Sequence, residues 1–221
     1  MCGRFTLRTP ASDVAKEFGL IDVPELFPRY NIAPTQDVAA VRLDEAGGRE
    51  LAMLRWGLVP SWADDSSIGN RMINARAETV AAKPAFRRAF AKRRCLIVAD
   101  GFYEWAKEDG GKQPYLFTVD RGPFALAGLW ELWRGVDSCA IITTTANGLM
   151  ARFHERMPVI LPRDGYAVWL DPEFADLDHL QSLLRPSPAE GMSAQPVSRV
   201  VNNPKNDVPE CCETLGPQNP S

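Results

Sequence analysis

The sequence is poor in histidine, has no paired cysteine motif and contains no long apolar run. Two histidines occur among its 221 residues, and its five cysteines form an odd set without CxxC spacing. These counts leave no zinc pattern to assemble and favour a reducing compartment, so we expect a cytoplasmic protein. No apolar stretch reaches the roughly 18 residues that a membrane span needs, which predicts that the chain has no membrane partner.

The charges are nearly balanced. Lysine and arginine total 25 while aspartate and glutamate total 28, which gives a formal net charge of −3. This total argues against a protein that coats nucleic acid without specificity, although a local basic groove remains compatible with it. The chain is 45% hydrophobic and can bury a sizeable core. Because it shows no internal repeat or linker, we predict one domain over residues 2–208, a loose tail over 209–221 and a monomer.

Strand-like runs dominate the middle of the chain. A hairpin is predicted around Gly47 and Gly48, and further strands are predicted over 95–99, 101–107, 115–120, 124–133, 138–145, 157–161 and 195–201. Helical segments are predicted over 10–20, with Thr9 as candidate N-cap and Gly19 as terminator, and over 77–92, 163–170 and 173–184. The fold class expected from this order is α+β, with antiparallel sheets curled into a barrel-like core and helices at the periphery.

The second residue, Cys2, can present two nucleophilic groups at once. If Met1 is removed, Cys2 has a free α-amine two carbons from its thiol, the spacing that closes a five-membered ring on an aldehyde. The reference pKa values are about 7.7–8.0 for the amine and about 8.5 for the thiol, so both nucleophiles are partly deprotonated near neutral pH. The alternative is that Cys2 lies in a frayed and inert terminus.

Three polar residues sit in apolar or glycine-rich settings. Asn74 lies within Met-Ile-Asn-Ala-Arg, Glu104 within Phe-Tyr-Glu-Trp, and His154 directly before an apolar strand. Burial of Glu104 would raise its carboxyl pKa into the range of a general acid or base, whereas an outward-facing Glu104 would have no such role. His154 is either a proton carrier or a structural histidine.

Seven segments that lie in order from residue 2 to about residue 208 resemble the SOS response-associated peptidase family. They are Met1 to Phe5, Arg29 to Thr35, Trp56 to Pro60, Ile73 to Thr79, Asp100 to Trp105, His154 to Leu161, and Pro196 to Ser198 together with Asn203 to Asn206. The resemblance covers nearly the whole chain.

The resemblance implies a covalent reaction with damaged DNA. Family members are taken to bind abasic sites in single-stranded DNA and to join the ring-opened sugar aldehyde to the N-terminal cysteine as a thiazolidine. On this basis the catalytic residues would be Cys2, Glu104 for proton transfer, His154 for sugar ring opening and reversal, and Asn74 for hydrogen bonding to the sugar. No metal or other cofactor would be required, because protonation of the imine supplies the electrophile.

The resemblance also implies a DNA-binding surface. Arg4, Arg76 and Arg156 would contact backbone phosphates, while Pro34 and Trp62 would wedge against bases beside the lesion. Arg76 could instead form a salt bridge with Glu78 or another acidic residue, and Trp56 and Trp62 could pack in the core. We assign Trp56 to the core and Trp62 to the interface. Some relatives carry a second aromatic residue where this chain has Ala63, which leaves the extent of base stacking open.

Two other functions remain compatible with the sequence. Cys2 could be the nucleophile of a thiol peptidase, with His154 as base, that acts on proteins or only on its own Met1-Cys2 bond. Alternatively, the protein could read damaged or modified bases without a covalent bond, with Cys2 in a structural role. Substitution of Cys2 by alanine separates these functions, because only the non-covalent reader would keep its full activity.

Overall fold

The computed structural model describes residues 2–108, 111–120 and 122–216, and within them thirteen strands form two sheets. The strands are β1 (Phe5–Leu7), β2 (Arg29–Ile32), β3 (Asp37–Leu43), β4 (Arg49–Trp56), β5 (Asn74–Arg76), β6 (Arg94–Ala99), β7 (Gly101–Glu108), β8 (Gly111–Val119), β9 (Phe124–Trp133), β10 (Val136–Thr145), β11 (Arg156–Pro158), β12 (Ile160–Leu161) and β13 (Met192–Pro196). The predicted α+β class is confirmed.

Five strands of the larger sheet close into a barrel. The ring runs β3, β4, β10, β9 and β6, and β6 returns to β3. Antiparallel pairing makes four of these contacts, whereas β10 meets β4 in parallel at Ser138 and Cys139. The wall is tight, because a Cβ added at Gly128 would lie 2.7 Å from Cys95 Sγ. Closure leaves the barrel without exposed edges along these strands.

The smaller sheet is open and has the order β13, β8, β7, β1 and β2. Its short strand β1 lies between two partners, with Phe5 opposite Ile32 of β2 and Phe102 of β7. The Phe5 ring also meets the Trp56 ring of the barrel edge-on, with centroids 5.2 Å apart. The N-terminal strand is therefore fixed against both sheets, and the residue that precedes it by three positions, Cys2, belongs to the main hydrophobic cluster.

Short helices lie around the sheets: α1 (Ala11–Phe18), α2 (Arg87–Lys92), α3 (Tyr166–Leu170) and α4 (Leu177–Ser182). Helix α1 ends as predicted at Gly19, which has a left-handed φ of 64°. Its predicted cap is wrong, because Pro10 occupies the N-cap position and the Thr9 hydroxyl donates to Asp100 Oδ2 at 2.9 Å. No helix within the described residues is long and apolar enough to cross a membrane.

The other predicted helices are shorter in the structure. Of residues 77–92 only α2 is α-helical, and turns occupy 77–86 around Pro84, which has no N–H to donate. Helix α3 is preceded by a 3-10 turn, and residues 171–176 separate it from α4, so the helix predicted over 173–184 begins only at Leu177. A proline lies at both interruptions, Pro84 within the first segment and Pro172 between α3 and α4.

The C-terminal part of the chain also departs from the prediction. The predicted strand 157–161 is divided into β11 and β12, because Val159 bonds to β10 through its N–H and to β9 through its carbonyl. The last strand ends at Pro196, and a 3-10 turn, Arg199–Asn202, follows.

The segment expected to be a loose tail begins packed. Pro209–Cys212 forms a 3-10 turn with Cys211 fully buried, and Thr214 forms a bridge with Val197. The end of the predicted tail, residues 217–221, lies outside the described residues.

Candidate active site

The N-terminal strand delivers Cys2 to the centre of the candidate site. The pairing of Phe5 with Phe102 continues outward, and the Tyr103 N–H donates to the Arg4 carbonyl at 3.0 Å. Continuing this antiparallel register places the residue after Cys2 opposite Glu104 of β7. Cys2 itself is 0% exposed. Burial, followed by the negative charge of Glu104, raises the pKa of the Cys2 thiol far above its ordinary value.

Glu104 is buried as the sequence predicted, with 5% of its surface exposed. It lies at the middle of β7 and is paired with Tyr115 of β8. Burial raises the pKa of the Glu104 carboxyl, and the positive charge of nearby His154 acts in the opposite direction. A carboxyl group with this balance holds its proton to higher pH than an exposed one and can both give and take a proton.

Asn74 connects the barrel to the N-terminal strand. It begins β5, which pairs in parallel with β10 at Ile141. The Asn74 side-chain amide donates to the Cys2 carbonyl at 2.8 Å. Its other polar atom, Oδ1, is buried and has no hydrogen-bond partner among the described residues. A buried acceptor without a partner costs about 1–3 kcal/mol. A ligand that donates a hydrogen bond to this oxygen would remove the cost.

His154 reaches the site from the loop before β11. Its backbone N–H donates to the Met150 carbonyl at 3.0 Å, directly after the 3-10 turn Met150–Arg152, and the Arg156 N–H donates to His154 Nδ1 at 2.9 Å. A ring nitrogen that accepts a backbone N–H carries no proton in the neutral form, so we assign the proton of neutral His154 to Nε2. Burial raises the pKa of the Glu104 carboxyl and the charge of His154 acts to lower it, so these two side chains are close.

Arg4 is half-buried between the two ends of the chain. Its Nη1 donates to Asn31 Oδ1 at 2.8 Å and to the Val201 carbonyl at 2.9 Å. Its guanidinium carbon lies 5.8 Å from the centroid of the Trp105 ring, within cation–π range. These contacts hold the Arg4 side chain against β2, β7 and the C-terminal segment.

The other two arginines predicted to contact phosphates, Arg76 and Arg156, have different surroundings. Arg76 of β5 is exposed. Arg156 donates to both carboxylate oxygens of Glu78, at 2.6 and 3.0 Å, and to the Thr143 carbonyl at 2.6 Å. Glu78 forms its bidentate salt bridge with Arg156 and not with Arg76, the partner that the alternative named for it.

The predicted base-wedging residues lie on turns. Pro34 is half-buried and precedes Thr35, whose φ of 74° marks a tight turn. Trp62 is 59% exposed, whereas Trp56 is 0% exposed and donates through Nε1 to the Ile73 carbonyl at 2.9 Å. The assignment of Trp56 to the core is confirmed, and Trp62 is free to contact a ligand. The next residue, Ala63, is buried and offers no second aromatic ring beside Trp62.

The structure thus brings together Cys2, Asn74, Glu104 and His154, and it adds Asn31, which the sequence did not single out. Asn31 is fully buried and donates through Nδ2 to three carbonyls of the C-terminal segment. In the sequence, only the position of Asn31 within the Arg29 to Thr35 motif could have indicated that it holds the C-terminal segment. Within the described residues, no group of three or more His, Cys, Asp or Glu side chains is arranged to hold a metal ion.

Comparisons with known proteins show which family this chain belongs with. A family model described as SOS response associated peptidase (SRAP) matches residues 1–204. The abasic site processing protein YoqW of Bacillus subtilis is 44% identical over 224 residues, covering 97% of this chain and all of that protein. The abasic site processing protein HMCES of Xenopus tropicalis is 32% identical over 225 residues, covering 85% of this chain and 66% of the relative.

A solved structure has the same architecture. The crystal structure of a protein from Bacteroides thetaiotaomicron superimposes with a TM-score of 0.86 at 26% identity, covering 97% of this chain and 100% of that one. A second crystal structure, of a protein from Bordetella bronchiseptica, gives a TM-score of 0.74 at 29% identity over 89% of this chain.

Proposed function

The chain belongs to the SOS response associated peptidase (SRAP) family, and from this membership we propose that it processes abasic sites in single-stranded DNA by forming a covalent bond through Cys2. The relatives that carry the name abasic site processing protein support the substrate. The proposed product is a thiazolidine that includes the amine and thiol of Cys2 and the aldehyde carbon of the opened sugar.

One observation carries the proposal: the fold surrounds Cys2 with two groups suited to this reaction. Asn74 holds the Cys2 backbone through its amide while its Oδ1 stays without a partner among the described residues. Glu104, with its raised pKa, lies close enough to the thiol to change the pKa of Cys2. These residues are far apart in the sequence, and a frayed terminus would not place them together.

The reaction can be written with balanced atoms. After removal of Met1, the α-amine of Cys2 adds to the aldehyde to give a carbinolamine. The protonated Glu104 carboxyl gives its proton to the departing hydroxyl, which leaves as water, and an iminium forms. The Cys2 thiol then adds to the iminium carbon and passes its proton to the Glu104 carboxylate. The net change is two new bonds, C–N and C–S, with loss of one water.

The raised pKa values of Cys2 and Glu104 suit this exchange. The raised pKa of the thiol disfavours the thiolate, which suits a thiol that adds only after the iminium has formed. The raised pKa means that the Glu104 carboxyl holds a proton to higher pH than an exposed carboxyl does. We assign His154 to the proton transfer that opens the sugar ring, and Asn74 Oδ1 to a hydrogen bond from a sugar hydroxyl.

The DNA strand would bind through charge and stacking. We propose that Arg4, Arg76 and Arg156 contact phosphates around the lesion, and that Pro34 and the exposed Trp62 contact the neighbouring bases. Base–aromatic stacking of this kind contributes about 1–3 kcal/mol per base and does not depend on sequence. A monomer suffices for this reaction, since one chain supplies every residue named.

The test is the intact mass of the protein after incubation with single-stranded DNA that carries one abasic site. We expect the free protein to lack methionine and the product to equal protein plus DNA minus one water. Cys2→Ala should form no adduct, whereas Cys212→Ala, which removes a half-buried thiol outside the site, should react like the wild type. An adduct with undamaged DNA, or an adduct that persists in Cys2→Ala, would contradict the proposal.

A second activity for the same cluster is removal of Met1. The family description names a peptidase, and Glu104 beside the Cys2 thiol can accept the thiol proton as sulfur attacks the Met1 carbonyl. The Met1–Cys2 C–N bond then breaks as Glu104 returns the proton to the Cys2 nitrogen, which leaves methionine on the sulfur as a thioester. Hydrolysis of this thioester by water would release methionine and restore the thiol. Expression of Glu104→Gln in cells tests this activity: retention of Met1 is expected in the variant, and complete removal of Met1 would assign that step to another enzyme.

A further inference from the structure

Glu78 is paired with Arg156 and lies within range of the charge of Arg76. It comes two residues after Arg76 and the end of β5, and its carboxylate receives the paired N–H groups of Arg156. Glu78 is 46% exposed in its side chain, whereas Arg156 is 12% exposed. Hydrogen bonds from Arg156 lower the pKa of Glu78, and the charge of Arg76 acts in the same direction. One carboxylate therefore neutralises part of the positive charge of both arginines.

The contact uses the surface that a phosphate would use. A guanidinium binds carboxylate and phosphate in the same planar, bidentate geometry. Here Nη1 and Nη2 of Arg156 face the two oxygens of Glu78, and Nη2 also donates to the Thr143 carbonyl. A DNA phosphate can reach this fork only beside Glu78 or in its place.

We propose that Glu78 determines selectivity: its carboxylate occupies the phosphate-binding face of Arg156 in the free protein and thereby weakens the binding of strands that carry no lesion. This inference rests on the proposed function, because it takes Arg156 as a phosphate contact. A strand with an abasic site is retained by the bond to Cys2 even when its non-covalent affinity is low. An undamaged strand has no such bond and dissociates.

The charge of Glu78 can be removed while the geometry stays. Thr143 anchors Nη2 from β10, and most of the Arg156 side chain is buried, so this arginine keeps its position without an anionic partner. In Glu78→Gln an amide oxygen still accepts one N–H. The two arginines and residue 78 then carry a charge of +2 instead of +1, and the phosphate no longer competes with a carboxylate.

The experiment measures non-covalent binding of a fluorescent undamaged single strand by anisotropy over a series of salt concentrations. Glu78→Gln should bind about threefold to tenfold more tightly than wild type at low salt. When log K is plotted against the logarithm of the salt concentration, the slope for the variant should be steeper by about 0.7, the value for one more neutralised phosphate. Glu155→Gln is the matched control, because this exposed carboxylate is adjacent to Arg156 in the chain and should change affinity less than twofold.

A double-mutant cycle assigns the effect to the pair. In an Arg156→Gln background the gain from Glu78→Gln should shrink to less than twofold, since the competing contact no longer exists. With excess undamaged competitor, Glu78→Gln should also crosslink abasic DNA more slowly than wild type does. Thermal unfolding of every variant checks that the fold is intact, and Glu78→Asp, which keeps the charge, should retain weak binding.

The outcomes separate this inference from the proposed function. Weaker or unchanged binding by Glu78→Gln, or an equal gain in Glu155→Gln, would overturn the role of Glu78. If Glu78→Gln gains affinity through Arg156 but the wild type forms no adduct with abasic DNA, the covalent function fails and the selectivity of phosphate binding stands.

Discussion

Two buried charged residues, Arg94 of the barrel and Glu104 of the open sheet, have different surroundings. Arg94 is 2% exposed and donates to four backbone carbonyls, those of Phe90, Ala91, Trp169 and Asp171, near the ends of α2 and α3. Glu104 is 5% exposed and lies beside Cys2 and His154, both of which carry titratable groups.

The difference separates a structural charge from a chemical one. Arg94 is surrounded by fixed acceptors, so its donors are used to hold two helices against the barrel. Glu104 is surrounded by groups that gain or lose protons, so its own protonation state can change during a reaction. Burial alone therefore does not distinguish the two roles, and the partners of each group do.

The largest expected effect is on the rate of crosslinking. Glu104→Gln keeps the shape of the side chain but cannot transfer a proton, so we expect the crosslinking rate constant to fall by about 100-fold or more. The measurement is single-turnover crosslinking resolved on denaturing gels. Glu131→Gln is the control, since Glu131 is a buried barrel carboxylate paired with Arg93. A variant of Glu104 that crosslinks at the wild-type rate would show that Glu104 is a structural residue like Arg94.

The reverse pattern is expected for Arg94. Arg94→Met removes donors from four carbonyls, and we expect the free energy of unfolding to fall by about 3 kcal/mol. The rate of crosslinking per folded molecule should be unchanged. Urea unfolding measures the first quantity and the gel assay the second. A loss of rate without a loss of stability would break the distinction between the two residues.

The two tryptophans give a smaller test of the same distinction. Trp62→Ala should leave stability within about 0.5 kcal/mol, because the ring is exposed, and should weaken single-strand binding by about 1–3 kcal/mol. Trp56→Ala removes a fully buried ring and should lower the free energy of unfolding. Anisotropy and urea unfolding compare the pair. Unchanged DNA binding in Trp62→Ala would remove this residue from the interface.

The smallest expected effect is the pH dependence of stability. Burial raises the folded-state pKa of Glu104, so the folded protein holds this proton more tightly than the unfolded chain does. The resulting stabilisation is complete below the unfolded pKa of about 4.3 and is lost as pH rises through the folded pKa. Relative to wild type, Glu104→Gln should therefore gain stability as pH increases from 4 to 8. Parallel curves for the two proteins would contradict the raised pKa.

Local sequence predicted much of the fold. The hairpin of β3 and β4, the strands β6 to β10 and the glycine end of α1 appear where alternation and turn residues predicted them. Thr9, by contrast, failed as a cap because Asp100 lies 91 positions away in the chain and offers its carboxylate as acceptor. The packing of Pro209–Cys212 was missed for the same reason, since its partners belong to distant segments.

The sequence by itself determined which chemical groups this protein has: the aminothiol potential of Cys2, the carboxyl of Glu104 within a strand, and the family to which its motifs belong. Only the tertiary structure decided how these groups meet. Closure of the barrel through β10 brings β5 and Asn74 to the N-terminal strand, and β11 leads His154 to Glu104. The pairing of Glu78 with Arg156 instead of Arg76 was decided at the same level. The physical reason is that side-chain periodicity describes neighbours along one element, whereas hydrogen bonds, burial and pKa shifts depend on atoms brought together from several elements.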